Sequence, residues 1–170
     1  MRLSFFLMLL VMGMSAFAAA QSPPREFAEF RGTWILDESK GSGQISGLGV
    51  ARKIVIETAP LQIVVTKDAE SPEVYRFDGS ETQAKDLKTG TPLNRSYRFT
   101  LVSETLALTT KVRRGENSTI ITDAYSVAGG VLRVERQLSV LVENPGYLST
   151  LSDPANNRQT IVYRRSSGTP

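Results

Sequence analysis

Asp123 and Arg136 stand on either side of Gly129-Gly130, equally far from it along the chain. Glycine pairs suit two-residue hairpin turns, because such turns need positive φ. A turn there makes the two charges face each other across neighbouring strands. The same arithmetic sets Val127 against Leu132, Tyr125 against Val134 and Ile121 against Leu138, so the pair lies on an apolar face. Charges on such a face are costly unless paired. One role for them is a polar anchor in a ligand cavity, where a few placed polar groups orient an otherwise apolar guest. The other is structural: an ion pair near a rim, or a bulge that turns both side chains outward. Tyr97, Phe99 and Tyr125 share the inward face. They either line such a cavity or fill the core, as aromatic side chains commonly do.

Catalysis has little to work with. The chain has no His and no Cys. That removes the commonest general base, the Ser-His-Asp triad, and the Cys and Cys/His zinc sites. Asp123 and Tyr125 are the best-placed remaining groups, but an aspartate paired with arginine stays ionised and makes a poor base. The residues therefore point away from an enzyme, a metal site or a cofactor. The glycine series Gly41, Gly43, Gly47 and Gly49 lacks the Gly-Lys-Ser/Thr ending of a phosphate loop. It reads as a flexible loop or a lid.

The elements that must position these residues are strands. Short runs of alternating apolar residues recur between turn residues, with no helical period. Strands are expected at 32–37, 51–58, 61–67, 73–77, 80–84, 95–102, 105–113, 118–127, 131–141 and 159–165. Turns at Ser103-Glu104, Gly115-Glu116 and Gly129-Gly130 join the last long strands into one meander with a single apolar face. Upstream, a turn over Thr58-Ala59 lets Ile56 and Ile54 face Leu61 and Ile63. Asp78-Gly79 is a two-residue hairpin signal that closes Val74–Phe77 onto Ser80–Ala84. The stretch from Asn144 to Asn157, with Pro145, Gly146 and Pro154, is expected to be a loop. An apolar sheet face without helices must be covered by the sheet itself. The expected fold is all-β, an antiparallel up-and-down meander closed into a small barrel. A β-sandwich is the alternative, less favoured because the connections are short and sequential.

The first residues have the order of a secretory signal: Arg2, an apolar run from Leu3 to Phe17, then Ala18-Ala19-Ala20. Cleavage is expected before Gln21, leaving a leader over 21–26, one barrel domain over 27–166 and a disordered tail over 167–170. About 150 residues suffice to bury roughly 68–70% of the unfolded chain's surface. No integral span is expected in the mature protein, and the location is periplasmic or extracellular. Lys+Arg 20 against Asp+Glu 17 is too even a balance, and too scattered, to suggest nucleic acid. Oligomeric state is left open.

Phe30-Arg31-Gly32-Thr33-Trp34-Ile35-Leu36-Asp37 carries a Gly-x-Trp on the first strand. It resembles the opening motif of the lipocalin or calycin superfamily. Similar to that family are the long loop after this strand, the meander, the loop before the last strand and a basic residue, Arg164 or Arg165, at its end. The second and third lipocalin motifs are not evident. The chain also resembles small secreted bacterial proteins that open on Gly-Thr-Trp and end on Tyr-Arg-Arg. The resemblance implies a cup-shaped barrel holding an apolar small molecule. Gly32, Trp34 and Arg164 would form the barrel-closing motif, with Trp34 a plug at the closed end. The expected function is therefore a secreted or periplasmic binding module anchored by Asp123/Arg136. The alternative is a structural or interaction protein of the cell envelope with a filled core and no ligand.

Overall fold

The computed structural model describes residues 25–43, 45, 48–102, 105–142 and 157–167. The signal segment with its cleavage point, the Ser103-Glu104 turn, most of the Asn144–Asn157 loop, Gly47 and the tail residues 168–170 lie outside the described residues. Among the described residues there are ten strands: β1 (Gly32–Leu36), β2 (Lys53–Ala59), β3 (Gln62–Lys67), β4 (Glu73–Arg76), β5 (Thr82–Lys85), β6 (Pro92–Val102), β7 (Thr105–Arg114), β8 (Asn117–Ala128), β9 (Val131–Val142) and β10 (Arg158–Arg165). A short 3₁₀ helix, Arg25–Phe30, precedes them. All pairings are antiparallel, in the order β4-β3-β2-β1-β10-β9-β8-β7-β6-β5. The result is an all-β, nearly closed barrel. Its mean face alternates with period 2, so Ile54, Ile56, Ile63, Val65, Leu106, Leu108, Leu132, Val134, Ile161 and Tyr163 all point into one core.

The Gly129-Gly130 turn has φ of 57° and 76° at its two glycines, the primed geometry that matches strand twist. It pairs Asp123 with Arg136, Tyr125 with Val134 and Val127 with Leu132. The β6–β7 and β7–β8 registers place Phe99 opposite Leu108 and Leu108 opposite Asp123.

Two expected turns differ. Asp78-Gly79 does not join a hairpin, because β4 and β5 are the two edges of the sheet and do not pair. A primed turn needs positive φ at both central residues, and here only Gly79 has it, at 73°. Asp78 instead accepts the Ser80 N–H, at 2.8 Å. Arg98 of β6 donates to the Gly79 carbonyl, at 3.1 Å, drawing the segment towards β6. The β2–β3 turn also falls two residues later than Thr58-Ala59. Thr58 pairs with Ile63 and Ala59 with Gln62, so Pro60 and Leu61 form the tip and Leu61 is exposed. Proline presets φ for the first turn position. A shift of two preserves parity, so Ile54, Ile56 and Ile63 keep their inward places.

The barrel's two ends differ in chemistry. At the closed end the 3₁₀ helix lays Phe27 against Phe77 and Phe99, with ring centroids 4.9 and 5.7 Å away. Trp34 is fully buried there and donates its indole N–H to the Phe30 carbonyl, at 2.8 Å. Towards the other end, the described residues between β1 and β2 are held to the barrel at several points. Ser42 bridges to Thr160, Ile45 is buried, and the Gly49 and Ala51 carbonyls accept from Arg136 and Tyr163.

Candidate functional site

Period-2 alternation on five strands sends polar side chains into the mouth half of the barrel. From β8 comes Asp123, from β9 Arg136, from β3 Lys67, from β4 Glu73 and Tyr75, and from β7 Thr110. Arg136 grips Asp123 bidentately, Nε to Oδ1 at 2.7 Å and Nη2 to Oδ2 at 2.9 Å. Its third nitrogen donates to the Gly49 carbonyl at 3.1 Å. Lys67 Nζ lies 2.9 Å from Glu73 and 3.4 Å from Asp123. The Tyr75 hydroxyl donates to Glu73 at 2.9 Å and lies 3.3 Å from the Thr110 hydroxyl. Asp123 is 2% exposed, Glu73 5% and Arg136 8%, so this is a chain of interior ion pairs with opposite charges in equal number. Such a chain stands only when each charge is compensated.

The protonation equilibria follow. Burial pushes the Asp123 carboxyl up, but the Lys67 charge and the Arg136 hydrogen bond outweigh it and hold it below the usual carboxylate value. Burial works against charged Lys67, and its anionic surroundings reverse that, leaving it well above the usual lysine value. Burial, then the Glu73 charge, pushes the Tyr75 phenol well up. Burial likewise pushes Tyr163 up to about 12. Asp123, Lys67 and Arg136 are thus ionised at neutral pH, and the Tyr75 and Tyr163 phenols are not.

A cleft of about 230 Å³ opens onto this cluster. Lys67, Glu73, Thr110 and Arg136 form its floor, Leu48, Val50, Ala51, Val112 and Ile121 supply apolar walls, and Asp68, Glu70 and Arg95 supply charge. A hollow of about 540 Å³ lies along the seam between the β4 and β5 edges, bordered by Tyr97 and Val112. A third, about 470 Å³, is built largely from outward residues of β8 to β10, such as Thr122, Ala124 and Glu135.

Of the five residues that the pattern nominates, three come together: Asp123, Arg136 and Tyr125. Tyr97 packs beside Tyr75, with ring centroids 5.4 Å apart. Phe99 is elsewhere, in the aromatic cluster at the closed end. Tyr125 is fully buried, and its hydroxyl has no hydrogen-bond partner among the described residues. An orphaned buried hydroxyl costs about 1–3 kcal/mol. Tyr125→Phe is therefore expected to leave stability unchanged or raise it by about 1 kcal/mol in urea unfolding. A loss of more than about 1 kcal/mol would show that the hydroxyl is bonded in solution.

Lys67 and Glu73 escaped the sequence reading, although a signal for them was there. Counting by twos from Ile63 and Val65 reaches Lys67, and counting back from Phe77 and Tyr75 reaches Glu73. The closing motif also needs a correction. The arginine over Trp34 is Arg165, its guanidinium carbon 4.6 Å from the ring centroid. Arg164 points outward, because neighbours in a strand face opposite ways, and it pairs with Asp37 at 2.6 Å. Arg165 also donates to the Glu29 carbonyl, at 2.5 Å, tying β10 to the 3₁₀ helix. Gly32 has φ of 126°, a conformation that residues with a Cβ rarely adopt.

Among the described residues no three acidic side chains converge as a metal ion requires, and no helix is long and apolar enough to cross a membrane. No protein-family model matches the chain, and no curated protein matches it in sequence. Among solved structures it is similar to a secretary abundant heat soluble (SAHS) protein from Ramazzottius varieornatus. The two are 13% identical, with a TM-score of 0.53, over 81% of this chain and 96% of that one. At that identity the likeness concerns the fold alone.

Proposed function

We propose that this protein is an exported binding module that takes a small molecule at the mouth of its barrel. The observation that carries the reading is the cleft floored by the Lys67, Glu73, Thr110 and Arg136 side chains. Few placed polar groups beneath apolar walls are how small-molecule sites achieve orientation. The guest's apolar body lies against Val50, Val112 and Ile121, and its polar end meets the charged floor, which Asp123 braces from behind. The cleft is smaller than the roughly 300–1,000 Å³ usual for drug-sized ligands, so the guest is small. The charged, apolar, small-residue order of the first twenty residues supports export, and the neighbour from Ramazzottius is itself described as secreted.

Native mass spectrometry of protein purified from its own host tests this. The expected result is a small molecule released on denaturation from the wild type and absent from Val112→Trp, which fills the cleft from its wall. Folded protein that travels bare in both forms would end the reading. It would favour a structural or interaction protein of the cell envelope. The packed closed end, with Trp34 fully buried, is the observation on that side.

A further inference from the structure

We infer, resting on the binding reading above, that the polar end of the guest is electrically neutral and hydroxyl-bearing, and is neither a carboxylate or phosphate nor an ammonium. The charges at the cleft compensate each other. Lys67, Arg95 and Arg136 face Asp68, Glu70 and Glu73 around one small volume. The charges of the two floor cations are already compensated. Arg136 spends Nε and Nη2 on Asp123 and Nη1 on the Gly49 carbonyl. Lys67 sits between Glu73 and Asp123.

An incoming anion that reached the floor would have to pull Lys67 or Arg136 away from a buried carboxylate. It would then face that carboxylate across a few ångströms of interior. An ammonium meets the mirror-image problem against Lys67 and Arg136. Both leave an uncompensated interior charge, which is the expensive outcome in a buried network. A hydroxyl has no such conflict. Among the described residues the floor still offers the third proton of Lys67, the free lone pairs of Glu73 and the Thr110 hydroxyl, a mixture of donor and acceptor. A hydroxyl both donates and accepts, so it can use both kinds without altering the ion pairs.

The test uses three probes of matched size: n-hexanol, hexanoate and hexylammonium, titrated into the full chain at pH 7 and followed by amide shifts at Lys67, Thr110 and Ile121. Hexanol is expected to bind at least about tenfold more tightly than either ion, a difference of roughly 1.4 kcal/mol. Tighter binding of hexanoate or hexylammonium would overturn the inference while leaving the binding module in place. If no probe shifts these residues, the cleft is not a binding site and both readings fall. Glu73→Gln supplies the second arm. It leaves the floor with one surplus positive charge and is expected to shift the preference towards hexanoate by about tenfold. An unchanged order in a folded Glu73→Gln protein would show that floor charge does not select the guest.

Discussion

Asp123→Leu is expected to cost about 3–5 kcal/mol in denaturant unfolding, the range for stranding a buried charge. Arg136→Leu should cost less, and the double variant least. The order follows from who touches whom. Asp123 neutralises two cations, Arg136 and Lys67, so its loss leaves both facing Glu73 alone. Loss of Arg136 still leaves Asp123 within 3.4 Å of Lys67. Removing both keeps Lys67 and Glu73 as a balanced pair at 2.9 Å, and leucines occupy the space. Additive losses in the double variant would show two independent side chains instead of one network. The pH dependence has a definite sign. Asp123's carboxyl is held below its ordinary 3.8, so its contribution is complete above that pH and is lost as pH falls through the lowered folded-state value. Without Arg136 that loss should begin at a higher pH. Lys67 lies well above its ordinary 10.5, so its contribution is complete below that value and fades only on the strongly alkaline side.

Trp34→Ala is expected to lose about 3–5 kcal/mol, the range for deleting a large buried aromatic side chain. Three things go at once. The fully buried ring leaves a cavity under the 3₁₀ helix, the Phe30 carbonyl loses its donor, and Arg165 loses the ring face on which it lies. Trp34→Phe keeps part of the ring and should lose less. Thermal unfolding of the two variants beside wild type measures both effects. A loss below about 1 kcal/mol for the alanine would show that the closed end repacks without its plug.

The strands and the Gly129-Gly130 register were legible because both rest on local rules, alternation and turn chemistry. The Asp123–Arg136 contact was legible for the same reason. Asp78-Gly79 misled because its dipeptide suits a primed turn while Asp78 keeps negative φ and bonds Ser80 instead. Arg165 was separable from Arg164 only through register against Trp34, which joins residues from opposite ends of the chain. Lys67 and Glu73 were missed for want of a partner. Their meeting with Asp123 depends on barrel closure, which no hairpin arithmetic supplies.

The seam between β4 and β5 also bears on how the chain reaches this shape. The hydrogen-bonded ladder is a ribbon whose ends are mid-chain strands, while the terminal strands β1 and β10 meet in its middle. Every other junction is a hairpin or a single loop between sequence neighbours. Residues 32–76 and 82–165 can therefore each zip from local turns. The β1–β10 junction instead pairs Trp34 with Arg165, across nearly the whole domain. Pairing strands so distant in sequence must meet its loop-closure entropy before the contacts reward it. Docking of two preformed half-ribbons is thus the expected slow step of folding, and Arg165 on Trp34 is a contact that forms late.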